Sequence, residues 1–338
     1  MKRLRQAIIA IAATFLGGGA AAAADAALIA AAKKEGEVVW YTTQIISQLV
    51  RPMSAAFEQK YGIKVRSTRA NSTELSVKII NESRAGKPQS DIFDGTSTVV
   101  PLKKEGYVLK WLPDAAKGYP AQYKDPEGYW VANNLYVLTP GFNTSLVAKG
   151  TEPRTYQALL DPKWRGKIVK AHPGYSGAIL TATFVLAREL GWSYFEKLAQ
   201  QKVLQVQSAA DPPKKLLLGE RAVMADGNDY NLLLLKDQGQ PVEVVYAIEG
   251  SPLIIVPSGV FRSAPNPNAA RLFQSFFFSA EGQQLLVDNF AHRSFHAQVK
   301  EKAGHPPLSS LKLLKSDPAA VLAQSEEIKA RYAKLFKV

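Results

Sequence analysis

The chain has 338 residues, a formal charge of +13 and no cysteine. Without thiols, disulfides, thiolate catalysis, iron–sulfur clusters and cysteine-based zinc sites are excluded. The cations are scattered as pairs such as Lys33-Lys34, Lys103-Lys104 and Lys214-Lys215, with no dense arm or aromatic-interleaved stripe, which reads as solvated faces and excludes nucleic acid as a partner.

Lys2, Arg3 and Arg5 precede an uncharged run over 7–16, three glycines and an alanine tract through Ala24. A basic start, an apolar stretch and an A-x-A end predict a secretory signal peptide over 1–24, cleaved after Ala24. A membrane anchor would need about 20 apolar residues, and glycine and alanine dilute this run. A soluble, exported, periplasmic protein is expected. The remaining chain is longer than one core usually serves, so two lobes are expected.

The body alternates strands and helices. Residues 37–41 (EVVWY) read as a buried strand, and Thr42-Thr43-Gln44 then leads to a helix ending near Lys60. A second strand over 63–67 leads past Arg69 to Asn71-Ser72-Thr73, which opens a helix to Arg84. A third strand over 91–93 runs into Asp94-Gly95-Thr96-Ser97 before the next helix. Repeats of this length predict parallel βαβ units in a doubly wound α/β sheet, with ligands at the carboxyl ends of the strands. The three polar loops sit at those ends.

The middle repeats the theme. A strand over 134–139 carries Tyr136, and one over 166–170 leads through Tyr175-Ser176-Gly177 into a helix over 178–190. An apolar piece at 222–225 precedes Asp226, Asp229 and Tyr230 at a further helix start, and a strand is expected over 242–247. The return segment 250–286 has a strand to Pro257, a Pro-Asn-Pro-Asn turn, a helix near Asn268 and a second helix from Ala280. The prolines cannot sit inside a helix, which fixes the punctuation. A last helix is expected from about Pro318.

NLYVLTPGFNTSLV, EPRTYQALLDPKWRGKIVKAHPGYSGA, LLLGERAVMADGNDYN and APNPNAARLFQSFFFSAEGQQLL occur in that order along the chain. Together they resemble family 1 bacterial extracellular solute-binding proteins, in the ferric-iron-binding-like branch. The resemblance implies a type II periplasmic-binding-protein fold, two doubly wound lobes joined by two crossing strands. It implies lobe 1 over 25–135 and 255–300, lobe 2 over 136–254, and a helical segment over 301–338 assigned to neither. It further implies a monomeric ABC-importer component that captures a small molecule between its lobes and passes it to the permease subunits in the membrane.

The resemblance also offers ferric iron as cargo. Members that bind it use a histidine after the first strand, a glutamate after the third and two adjacent tyrosines. Here those positions read Ile45, Thr96 and Tyr230-Asn231, leaving Tyr230, Asp229 and Asp94 as the available oxygen donors. An anionic organic solute fits the other residues better, because helix N-termini present unpaired N–H groups. The expected site comprises Thr42, Thr43, Gln44, Arg69, Asn71, Ser72, Thr73, Thr96, Ser97, Tyr136, Tyr175, Ser176, Gly177, Asp226, Asp229 and Tyr230. Each Ser, Thr or Asn serves equally as a helix cap, and Asn71 with Glu74 has capping-box spacing. Asp226 and Asp229 either cap their helix or bind a ligand amine; Tyr136 either stacks on cargo or packs in the hinge. No resident cofactor is expected. An enzyme is not expected either: G-x-S-x-G, Walker A and H-E-x-x-H are missing, which leaves an exported hydrolase as the contrasting class.

Overall fold

A computed structural model describes residues 16–338; the expected leader lies outside them apart from residues 16–24, which fall within the first helix. That helix is α1 (Leu16–Glu35), followed by β1 (Glu37–Thr42), a π turn (Ile46–Val50), α2 (Arg51–Tyr61), β2 (Lys64–Arg69), α3 (Ser72–Arg84), β3 (Ile92–Asp94) and α4 (Val99–Lys104). β4 (Val131–Val137), β5 (Gly141–Asn143), β6 (Ile168–Ala171), α5 (Gly177–Leu190), α6 (Trp192–Ala199), β7 (Leu204–Val206), α7 (Asp211–Leu217), β8 (Val223–Met224), α8 (Asp229–Asp237) and β9 (Val242–Val244) come next. The chain finishes with β10 (Ser251–Val260), α9 (Pro267–Phe277), α10 (Ala280–Phe290), β11 (Leu313–Leu314), α11 (Pro318–Ala323) and α12 (Ser325–Phe336). No described helix is long and apolar enough to cross a membrane.

The strands form two sheets. The first has the order β11-β10-β3-β1-β2, with β4 also paired to β10; the second has the order β7-β6-β8-β5-β9. β1 is parallel to β2 and β3, whereas β10 runs antiparallel to both β3 and β4. In the second sheet β6 is parallel to β7 and β8, and β5 is antiparallel to β8 and β9. The βαβ order expected from the alternation is therefore present, with antiparallel strands where the chain passes between sheets. β2 (KVRSTR) lies at an edge and is largely exposed, and its three cations discourage pairing with another chain.

Aromatic rings fill the layer over the first sheet. Trp40 packs 5.3 Å from Phe273 and 5.9 Å from Phe277, and Phe57 packs 5.0 Å from Phe273, measured between ring centroids. The amphipathic α9 brings those phenylalanines down onto β1, so the helix after the Pro-Asn-Pro-Asn turn closes the first core. Tyr156, Tyr194, Phe195 and Tyr332 are buried in the second core. Tyr332 belongs to α12, so the C-terminal helices pack against α5 and α6, on the second sheet's side.

Three local expectations are corrected. The helix after β1 starts as a π turn, and Pro52 then occupies the first turn of α2, where its missing N–H costs nothing. The C-terminal helix is two helices that meet at Gln324. β7, α6 and α7 were not anticipated; α7 opens on Asp211-Pro212-Pro213, a helix-start signal of the same kind as the one in α9.

Candidate functional site

A cleft of about 430 Å³ opens between the loops of the two sheets. From the first sheet it is lined by Thr43, Gln44 and Ile45 after β1, Arg69 to Ser72 after β2, Thr96 after β3, and Tyr136 on β4. From the second it is lined by Tyr175 to Ala178 at the start of α5, Gln207 to Ala210 after β7, and Asn228 and Tyr230 at the start of α8. Carboxyl ends of strands and amino ends of helices thus converge from both sides, as open α/β sheets place their ligands.

Asp94 shapes the first loop from below. One of its oxygens accepts from Trp40 Nε1 (2.8 Å) and Thr42 Oγ1 (2.6 Å), and the other from Thr43 N–H (2.9 Å) and Thr43 Oγ1 (3.0 Å). Burial pushes the Asp94 carboxyl pKa up, against these four hydrogen bonds, which favour the ionised form. Arg69 donates Nε–H to Gln44 O at 3.1 Å. Its Nη donors have no protein partner among the described residues, and Arg69 and Glu74 are the only charged side chains lining the cleft.

Asn71 and Glu74 form the capping box expected from their spacing, with Glu74 N–H on Asn71 Oδ1 at 2.9 Å and Asn71 N–H on Glu74 Oε2 at 3.4 Å. Ser176 caps α5 by accepting from Ile179 N–H at 3.4 Å. At α8, Asn228 Nδ2 donates to Tyr230 OH and to Asn231 Oδ1, both at 3.0 Å. Tyr136 meets the Tyr230 ring edge-on at 5.3 Å, and His292 lies 4.3 Å from the same ring on another side. Burial, then the neighbouring Tyr136 and Asp229, hold the Tyr230 phenol well above its ordinary pKa, so it remains a neutral hydroxyl. The two halves touch here: Asn231 Nδ2 donates to Gln48 Oε1 at 2.6 Å.

Of the expected site residues, Thr43, Gln44, Arg69, Asn71, Ser72, Thr96, Tyr136, Tyr175, Ser176, Gly177 and Tyr230 line this cleft. Five do not. Thr42 is fully buried against Asp94. Thr73 and Ser97 face a smaller cavity of about 160 Å³ alongside α11 and α12. Asp226 is buried 2.6 Å from Lys170 Nζ, and Asp229 is buried against Arg293 Nη2 at 3.3 Å. Neither aspartate caps α8 toward solvent or offers oxygen to a ligand, because an internal cation already holds each one. Sequence reasoning missed Ile45, Glu74, Asn228 and the whole loop from Gln207 to Ala210. The Asp-Pro-Pro helix opener after Val206 is the signal that would have marked that loop.

The profile of the bacterial extracellular solute-binding protein family matches residues 53–303. A Sinorhizobium fredii protein described as a probable ABC transporter periplasmic-binding protein is 23% identical over 277 residues, covering 76% of this chain and 74% of its own. The periplasmic binding protein AfuA from Actinobacillus pleuropneumoniae, solved with fructose-6-phosphate bound, superposes with a TM-score of 0.80 at 24% identity, covering 90% of this chain and 99% of that one. Iron-bound HitA from Pseudomonas aeruginosa superposes with a TM-score of 0.75 at 20% identity, covering 88% and 99%. These likenesses establish a type II periplasmic-binding-protein fold and leave cargo open, since one neighbour holds a sugar phosphate and the other iron.

Proposed function

The chain belongs to the bacterial extracellular solute-binding protein family, and on that premise we propose that it is the periplasmic substrate-binding component of an ABC importer whose cargo is a hydroxylated organic anion of the sugar-phosphate class. A leader over residues 1–24 would take it across the inner membrane. Two lobes, 25–135 with 255–300 and 136–254, would close on the solute, and the closed monomer would be read by the permease.

The observation that carries the ligand class is the make-up of the cleft. Arg69, whose Nη donors have no protein partner among the described residues, shares the cleft with the starts of α3, α5 and α8 and with Thr43, Gln44, Ser176 and Gln207. Helix starts and a guanidinium suit the oxyanion, and the hydroxyl and amide side chains suit a polyol. The volume lies in the usual small-molecule range of about 300–1,000 Å³. The AfuA neighbour, solved with fructose-6-phosphate, supports the same class.

Ferric iron is the less favoured cargo. Asp94 and Asp229 are spent on internal donors, so of the expected oxygen donors that hard Fe(III) requires only Tyr230 lines the cleft. Calorimetry of the purified protein with fructose 6-phosphate, phosphate-free fructose and ferric citrate tests the reading. Binding of the phosphate ester, with the free sugar much weaker, is expected. A coloured iron complex, or equal affinity for the uncharged sugar, would remove it.

A further inference from the structure

We propose that Asp229 and Arg293 form a clasp at the hinge: positioning residues that set how far the two lobes stand apart, and thereby solute affinity, without touching the solute. The proposal rests on the two-lobed reading above.

Asp229 sits between Asn228 and Tyr230, which line the cleft, yet its carboxylate is turned inward and is 1% exposed. Oδ1 accepts from Val137 N–H at 3.0 Å, the last residue of β4, and from Tyr230 N–H at 2.9 Å. Oδ2 accepts from Tyr246 OH at 3.1 Å and from Arg293 Nη2 at 3.3 Å. Tyr246 lies on the stretch between β9 and β10, where the chain returns to the first sheet. Arg293 follows α10, bridges Leu135 of β4 through its backbone, and donates to Pro306 O (2.7 Å) and to Tyr246 OH (3.1 Å). One carboxylate therefore holds the outgoing crossing, the returning crossing, a first-sheet segment and the helix whose start faces the cleft.

Neighbouring contacts stitch the same place. Thr139 N–H donates to Gly227 O at 3.1 Å, Leu138 bridges Asn228, and Thr139 Oγ1 lies 3.0 Å from Ser251 Oγ. Swinging α8 about the end of β4 changes the distance from the carboxylate to Arg293 while Val137 stays close. The ion pair is thus the part of the network most sensitive to interlobe angle. A buried charge left without its partner is costly, so the pair favours the geometry that keeps both together. A solute that also needs that geometry then binds to a protein already holding it.

The chain's lack of cysteine makes the test clean. Spin labels on Lys87→Cys and Lys197→Cys, both exposed and on opposite halves, report the interlobe distance in the ligand-free protein. Asp229→Asn keeps the shape and removes the charge, and Tyr246→Phe removes one hydrogen bond without exposing a charge. Longer or broader distances are expected in both variants, larger in Asp229→Asn, with about tenfold weaker binding of fructose 6-phosphate. Melting-temperature losses with distances identical to wild type would overturn the clasp, since a merely structural role moves stability alone. Should Asp229→Asn fail to fold, Tyr246→Phe still decides the matter by the same distances. The ligand-free comparison needs no solute, so failure of fructose 6-phosphate to bind would overturn the ligand class and leave this test standing.

Discussion

A β-carbon placed on Gly177 would lie 2.6 Å from Ser97 Oγ and nearer still to Thr96 Oγ1. The start of α5 and the loop after β3 therefore approach as closely as a residue without a side chain allows. Ser72 Oγ, at 3.0 Å from the same point, completes the contact from α3. The two halves of the molecule meet at this point beside the cleft, and a side chain here would have to displace these hydroxyls.

Gly177→Ala is expected to hold the halves apart while leaving each core intact. Solute affinity should fall about tenfold, equivalent to ~1.4 kcal/mol, with the melting temperature almost unchanged. Titration calorimetry beside a thermal melt measures both quantities, and wild-type affinity in a well-folded variant would show that the contact is not part of the closed state.

Arg69→Gln removes the only cation that lines the cleft among the described residues. Binding of an anionic solute should weaken by about one to two orders of magnitude, as loss of a charge-assisted hydrogen bond implies. Wild-type affinity should also fall as salt rises, whereas the variant's should respond much less. A salt response that is the same in both proteins would place the anion elsewhere.

His292 gives the fold a dependence on pH. Burial holds its pKa down to about 3, against an ordinary value of 6.5. Between those values the unfolded chain takes up a proton that the folded chain refuses, so stability is lost as pH falls from about 6.5 toward 3. The slope from this residue is at most about 1.4 kcal/mol per pH unit. His292→Phe should flatten the acid limb of a denaturation series by that one proton, and an unaltered limb would contradict the buried, neutral imidazole.

Lys170 and Asp226 are both 1% exposed and pair at 2.6 Å within the second core, with Tyr332 5.1 Å from the ammonium. Lys170→Met leaves a carboxylate buried without its counter-ion and should cost about 3–5 kcal/mol. Pairing it with Asp226→Leu should recover much of that loss. Chemical denaturation of the single and double variants checks this, and a single variant as stable as wild type would mean that Asp226 is already neutral.

Much of the scaffold could be read from the chain because its signals are local. The apolar run VVWY after Glu37 reads as a buried strand, and Gly62 ends α2 in the left-handed conformation at φ 70°. Asn71 and Glu74 declared their capping box by spacing alone. The carboxylates misled for the opposite reason. Asp94, Asp226 and Asp229 stand beside helix starts or strand ends where a ligand group would stand, but a donor or cation that occupies each of them is remote. Arg293 comes 64 residues after Asp229, and Trp40 comes 54 before Asp94. No spacing rule links such partners. Thr73 and Ser97 lie one residue beyond cleft-lining Ser72 and Thr96, and the turn of the backbone carries them to the neighbouring cavity.

The place of Tyr332 has a bearing on biogenesis. Its ring roofs the ammonium of Lys170 and stacks 4.2 Å from Phe336, on a helix that residues 325–336 supply. During synthesis, everything from Tyr156 to Phe195 has left the ribosome long before that roof exists. The second core therefore stays open until residues 325–336 have been made.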